Sequence, residues 1–293
     1  MGTKNIGVKT IAHLAFNIKN TEKMLTFYTE ILGIKQFFTQ TFGELLDNMG
    51  MPSDYMADRR DDPWSTYLML SENTFIEFFY DTGKIQDFPY KLDDCCGYHS
   101  VTLGVGNLDD LRYKLMSHEI FIKKDVKNPQ LIHEISVLDP DGNTINFIEV
   151  PNLENDNPQI ILAHQLQVVN AKEMIDFYCQ GLGLETVYAS SHELNKQYIK
   201  IKHNQIILLI CPDNDSLIQI DDLKEYYGYQ HFCLEVEDIN QAWDAVVANG
   251  ITPDTPIKKG VDGSMQFWVV DPDGNRIELM QYTEDSKQIT CQK

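Results

Sequence analysis

The string Asp-Pro-Asp-Gly-Asn occurs twice in this chain, at Asp139–Asn143 and at Asp271–Asn275, an offset of 132 residues. Gly97-Tyr98 returns as Gly228-Tyr229, an offset of 131. Phe27-Tyr28 with Leu32-Gly33 returns as Phe177-Tyr178 with Leu182-Gly183, an offset of 150. Matches in the same order at similar spacing mean that the two halves share one architecture, with the difference in length absorbed early in the first half. Whatever the first half builds, the second builds again.

Each half divides once more. Alternating apolar residues mark a strand over 11–18, and Asn20 or Thr21 then opens a helix with Met24, Tyr28, Ile31 and Leu32 at helical spacing. Strand-like runs follow at 67–70 and 75–80. The same order recurs from His99, from Ile160 and from His231, with Asp-Gly turn chemistry before the last strand of the second and fourth units. The pattern predicts an α+β chain of four βαβββ units. Residues 1–152 form the first pair, 153–159 a polar Pro-bounded linker, 160–283 the second pair and 284–293 a tail, read as disordered.

Charge and cysteine usage narrow the function. Lys plus Arg is 24 against 44 Asp plus Glu, a formal charge of −20. Phosphate-rich partners would be repelled, so neither nucleic acid nor an anionic membrane surface is an expected partner. The longest unbroken aliphatic run, 206–211, is far short of the roughly 20 residues that cross a bilayer, and the polar N-terminus lacks the apolar stretch of a signal peptide. Six scattered cysteines without a C-x-x-C pair read as reduced thiols of a cytoplasmic protein.

Four such units, with D-P-D-G-N-x-I-E-L in the last, resemble the vicinal oxygen chelate superfamily, which includes glyoxalase I, methylmalonyl-CoA epimerase, extradiol dioxygenases and fosfomycin or bleomycin resistance proteins. The resemblance covers about residues 10–150 and 160–282. It implies paired units curled into two cup-shaped open β-sheets, with one divalent metal at a cup floor, and a small-molecule substrate. Each unit would offer one ligand position on its first strand and one on its last.

Strand parity locates those positions, because side chains alternate between faces. Leu14, Phe16 and Ile18 read as buried, which turns His13 and Asn17 into the cup, and Glu77 holds the last-strand position. The same reasoning picks His231 and Glu278 in the fourth unit. The middle units give Ser100, Asn146, Ala163 and Leu208, none a strong ligand, with His164 one residue out of register. If the first unit pairs with the fourth, one cup holds His13, Glu77, His231 and Glu278 and the other holds none. If units pair in sequence order, each cup holds two. The uneven distribution favours the first arrangement. Imidazole and carboxylate without thiolate suit Fe(II), Mn(II), Ni(II), Co(II) or Zn(II). Cys233 shares the face of His231 and reads as a packed thiol.

The resemblance leaves three readings. In the slightly favoured one, a glyoxalase- or epimerase-like lyase or isomerase, Glu77 or Glu278 moves a proton beside a carbonyl. In the second, His13, His231 and Glu278 hold Fe(II) for an extradiol-type dioxygenase. In the third, a metal-free cup binds an antibiotic-like molecule. Glyoxalase I members carry an Arg where Asn17 stands, and extradiol enzymes a Tyr where Trp268 stands. Trp268, Tyr282, Phe75 and Phe79 are expected to line the cup. The insertion 41–64, with Met49, Trp64, Arg59 and Arg60, reads as a surface segment or as a lid that meets an anionic substrate. One chain contains both halves of a cup, so a monomer suffices, and a monomer or homodimer is expected.

Overall fold

The computed structural model describes residues 3–292 apart from 82, 128–132, 154–156, 188–195, 203–204, 213–216 and 221, so that part of the linker, His192 and His203 lie outside the described residues. The first unit supplies β1 (Val8–Ile18), β2 (Lys35–Thr41), β3 (Pro63–Ser71) and β4 (Thr74–Tyr80). The second supplies β5 (Gly97–Val105), β6 (Ile122–Lys127), β7 (His133–Leu138) and β8 (Thr144–Glu149). The third supplies β9 (Ile160–Gln167), β10 (Glu185–Val187), β11 (Lys196–Lys200) and β12 (Ile206–Ile210). The fourth supplies β13 (Gly228–Val236), β14 (Lys258–Lys259), β15 (Met265–Val270) and β16 (Arg276–Gln281).

These strands form two open eight-stranded sheets. One runs β14-β15-β16-β13-β1-β4-β3-β2 and the other β10-β11-β12-β9-β5-β8-β7-β6. The first unit therefore shares a sheet with the fourth, and the second with the third. Each sheet is joined at its centre by an antiparallel pair of first strands, β1 with β13 and β5 with β9. Each first strand also runs parallel to the last strand of its own unit. Strand β1 is buried on both faces, with Leu14, Phe16 and Ile18 on one side and His13, Ala15 and Asn17 on the other.

Helices cover the face away from the cups. Helix α3 (Leu108–Ser117) buries Leu108, Leu111 and Leu115 and is capped by Asn107, whose side chain accepts from Asp110 N. Helix α5 (Ile239–Ala248) buries Ile239, Ala242, Ala245 and Val246 and is capped by Asp238. The helices expected after β1 and β9 both change pitch. Helices α1 (Thr21–Leu25) and α4 (Ala171–Ile175) each run into a π-helical turn, over Thr26–Ile31 and Asp176–Gly181. On those wide turns Tyr28 donates to Asp139 at 3.1 Å and Tyr178 to Asp271 at 3.0 Å. Each Asp also accepts backbone N–H groups from its own turn, where Gly142 and Gly274 sit near φ +90°. The repeated motif is thus a lock between the helix of one unit and the last hairpin of the next.

The insertion and the tail are both structured, the tail against expectation. The insertion 41–64 begins as helix α2 (Phe42–Asn48), closed by a capping box between Thr41 and Glu44. The tail is ordered: α6 (Lys287–Thr290) follows a buried Ser286, and Gln288 is buried. Its polar composition suggested disorder, but Ser286 Oγ meets Ser264 Oγ at 2.9 Å and Gln288 donates to Asp262 at 2.7 Å. Lys287 reaches Glu44 of α2 at 2.6 Å, so the tail straps the insertion to the fourth unit.

Candidate metal centre

Register places the site. Two adjacent rows of side chains cross the cup face of the first sheet. One runs Phe75, His13, Cys233, Glu278, Trp268 over β4, β1, β13, β16 and β15. The other runs Tyr67, Glu77, Ala15, His231, Arg276 over β3, β4, β1, β13 and β16. The methyl of Ala15 leaves the centre of the second row open, and four donors converge around it. His13 Nε2 lies 3.1 Å from Glu278 Oε2, 3.2 Å from His231 Nε2 and 3.6 Å from Glu77 Oε2. His231 Nε2 lies 3.6 Å from Glu278 Oε2. None of the four residues is more than 5% exposed.

Burial and mutual charge shift the titration of all four. Burial, with Glu278 nearby, pushes Glu77 up to about 8 against the pull of His13. Burial opposes ionisation of Glu278 as well, but the hydrogen bond from His13 and the imidazoles of His13 and His231 beside it hold it well below the usual range. Burial would lower His13, yet its hydrogen bond to Glu278 and the charges of Glu278 and Glu77 raise it. Burial pushes His231 down to about 4. A divalent cation bound among these groups would balance the two buried carboxylates.

The donor set fits such an ion. Ligands at about 2.0–2.2 Å from a shared ion stand roughly 3.0–3.5 Å apart, and the donors lie within 4.8 Å of one another in two groups that share His13, one with Glu77 and His231 and one with Cys233 and Glu278. The tautomer of His231 also fits. The carbonyls of Lys224 and Tyr226 can only accept, so Asn17 donates its amide to them, at 3.1 and 2.8 Å. Asn17 Oδ1 then accepts from Gln230 at 2.7 Å, and Gln230 Oε1 accepts from His231 Nδ1–H at 2.8 Å. That chain leaves the Nε2 lone pair of His231 facing the other donors. Glu278 is held by Gln266, which donates to its Oε1 at 2.7 Å and accepts from the Trp268 indole at 3.3 Å when its amide is oriented to satisfy both.

A cavity of about 720 Å³ opens over these residues. The profile of the glyoxalase/bleomycin resistance protein/dioxygenase superfamily matches residues 10–147 and 160–279. The chain belongs to this superfamily. It is 22% identical to the lactoylglutathione lyase of Schizosaccharomyces pombe over 95% of this chain and 98% of that one. Its fold is similar to that of a candidate dioxygenase from Bacillus subtilis, at a TM-score of 0.70 and 14% identity over 99% of this chain and 91% of that one. It is also similar to glyoxalase I from Zea mays, at a TM-score of 0.65 and 15% identity over 93% and 92% of the two chains.

Within this superfamily fold, the expected site residues divide. Glu77, His231, Glu278, Asn17, Trp268, Phe79, Met49 and Trp64 line the cavity. His13 lies beneath it. Asn17 presents a spent amide, since its hydrogen bonds hold Gln230 and the 224–226 backbone. Phe75 is fully buried below the floor, stacked on Phe37, and is a support rather than a lining group. Tyr282 packs beside Ala12, Cys233 and Met280, away from the opening. Arg59 and Arg60 turn back into the insertion, where Arg59 pairs with Asp62 at 3.0 Å and Arg60 with Asp47 and the Gly43 carbonyl. They do not line the cavity. His164 faces the core between Tyr98, Tyr229 and Phe232, with Nε2 3.2 Å from Tyr229 Oη. His133 is half-buried in β7 against Asp125, and His118 ends α3.

Several lining residues escaped the sequence reading. Lys84, Lys224, Lys258 and Arg276 bring four cations to the opening of an otherwise acidic protein. Arg276 lies over the Trp268 ring, 4.4 Å from its centroid, and 3.6 Å from Asp254. Strand parity alone signals Arg276, which stands two residues before Glu278. The lysines lie in loops, at a strand end and in a short helical turn, where parity says nothing. No helix among the described residues is long and apolar enough to cross a membrane.

Proposed function

We propose that the chain is a divalent-metal-dependent enzyme of the vicinal oxygen chelate type, which moves a proton beside the carbonyl of a small, oxygenated, anionic substrate. The observation that carries this reading is the unequal pair of buried carboxylates. Glu278 is ionised and held from both sides, as a permanent ligand should be. Glu77 lacks the close hydrogen bond from His13 that holds Glu278, burial opposes its ionisation, and it is the carboxylate of the pair freer to carry a proton. The tyrosine hydroxyl of Tyr67 hydrogen-bonds to Glu77 and would steady its ionised form.

His13, His231, Glu278 and Glu77 would hold the metal. When bound, it polarises the substrate carbonyl and stabilises developing enolate charge. Glu77 takes the proton from the adjacent carbon and returns it. Trp268 and Phe79 wall the cavity and exclude water from the reacting carbon. The cations at the opening, Arg276 first among them, attract and orient a substrate anion. The names of the curated relatives make lactoylglutathione the first compound to assay, although Asn17 does not supply the arginine expected of a glyoxalase I.

One observation favours a second reading. His13, His231 and Glu278 form the two-imidazole, one-carboxylate set that suits Fe(II) in a dioxygenase. Metal analysis of anaerobically purified protein separates the two. Iron at one equivalent, with oxygen consumption on a catechol or hydroquinone, supports the dioxygenase. Another divalent metal, with solvent deuterium entering a substrate carbon and lost in Glu77→Gln, supports proton transfer. No metal, even after reconstitution, overturns both and leaves a binding protein.

A further inference from the structure

The first row of the cup floor contains a donor that the reading above does not use. Cys233 stands between His13 on β1 and Glu278 on β16, each its direct cross-strand neighbour on the same face. His13, Cys233 and Glu278 each place a donor atom within 4.8 Å of the other two, and all three are buried. Cys233 occupies in its row the central position that Ala15 occupies in the next, so its Sγ projects where the neighbouring row offers only a methyl. The second nitrogen of His13, Nδ1, is buried with no hydrogen-bond partner among the described residues. The other sheet carries Thr102 at the position of Cys233, and its hydroxyl accepts from Gln165 at 2.8 Å. The Cys233 thiol instead hydrogen-bonds to the Glu278 carboxylate, one of the donors of the site.

We infer that Cys233 is a sulfur ligand of the same metal centre, which turns an all-imidazole and carboxylate site into a mixed one selective for thiophilic divalent ions such as Zn(II) or Co(II). The inference rests on the metal reading above. On binding, a sulfur–metal bond forms, the S–H bond breaks and the proton leaves to solvent; nothing is oxidised or reduced. Thiolate is a softer donor than carboxylate, so it raises affinity for Zn(II) and Co(II) far more than for Mn(II).

Cobalt makes the sulfur visible. The full chain, stripped of metal and titrated with Co(II), should develop a near-ultraviolet sulfur-to-cobalt charge-transfer band that saturates at one equivalent. Cys233→Ser and Cys233→Thr, the latter using the residue that the other sheet tolerates at this position, should still bind Co(II) but lack the band. Both should also lose at least about tenfold in preference for Zn(II) over Mn(II). Circular dichroism of the two variants checks that they fold. Stoichiometric Co(II) binding without the band, or a band that survives both substitutions, overturns the inference and leaves the His13, Glu77, His231 and Glu278 centre standing. Failure of the parent chain to bind Co(II) overturns both.

Discussion

The two cups of this molecule have the same backbone and opposite chemistry. In the second sheet the equivalent rows read Ile206, Ala163, Thr102, Asn146, Ser136 and Tyr198, Leu208, Gln165, Ser100. Register therefore matches His13 with Ala163, Glu77 with Leu208, His231 with Ser100 and Glu278 with Asn146. The second floor satisfies itself: Asn146 donates to Ser100 at 3.0 Å and Gln165 to Thr102 at 2.8 Å. Gln165 also fills the centre that Ala15 leaves open. Among the described residues, no group of His, Cys, Asp or Glu that could hold a metal lies on that floor. The comparison teaches that the fold does not need its ligands. A buried polar floor can be neutral and closed, or charged and lined with donors, on one scaffold, and the proposed chemistry uses the second kind.

The largest test of that contrast is ligand removal. His13→Ala or Glu278→Gln should reduce bound metal from about one equivalent to near zero, while Asn146→Ala, at the matching place in the other cup, leaves it unchanged. Elemental mass spectrometry of the three variants decides, and equal loss in all would mean that the cups are not distinct.

A second test uses protons. Metal binding near pH 7 should release about one proton or more, because Glu77 titrates at about 8 and His13 is also raised. Calorimetry in buffers of different ionisation enthalpy measures the number. The sign for the metal-free protein follows. Between pH 6.5 and 8 the folded state binds more protons at Glu77 and His13 than the unfolded chain, whose groups titrate near their ordinary 4.5 and 6.5. Stability should therefore fall as pH rises through that window. The buried Asp271, pushed to about 7, acts in the same direction. Saturating metal should flatten the slope, whereas a slope that persists unchanged would place its origin outside the first cup.

Smaller effects probe the supports. Gln230→Leu removes the acceptor that fixes His231 and should weaken metal binding by about 10- to 100-fold without unfolding the chain. Equilibrium competition with a chelator reads it. Smallest of all, Lys287→Ala cuts the half-exposed link to Glu44. It should cost no more than about 1 kcal/mol in thermal unfolding, and it should raise KM more than it lowers kcat if the strap seats α2 over the cavity.

The repeat made the fold legible before any coordinates. Conserved spacing between Asp139–Asn143 and Asp271–Asn275 reveals four units, and the uneven placement of His and Glu points to the pairing of first with fourth. Parity then brings His13, Glu77, His231 and Glu278 to one face. What escaped depends on partners far away in the chain. Ser286 and Gln288 look like a soluble tail until Ser264 and Asp262 are beside them. Asn17 looks like a substrate contact until the carbonyls of Lys224 and Tyr226 claim its amide. Arg59 and Arg60 carry the right charge for an anion, but acids and carbonyls of their own insertion use it first. Local composition records none of these pairings.

The central seam of the first sheet has a consequence for how the chain is made. Val8 lies opposite Val236, so β1, once synthesised, waits for β13, made 228 residues later. At roughly 5–20 residues per second, that wait is on the order of ten seconds or longer. The second and third units are adjacent in sequence and can pair in the meantime, while β1 keeps an apolar, unpaired edge exposed. The sheet of the second and third units can thus finish early, and the sheet that carries His13, Glu77, His231 and Glu278 closes only once β13 has been made. Any truncation after the third unit would yield a chain with one sound sheet and one open edge, a species more prone to aggregate than to act.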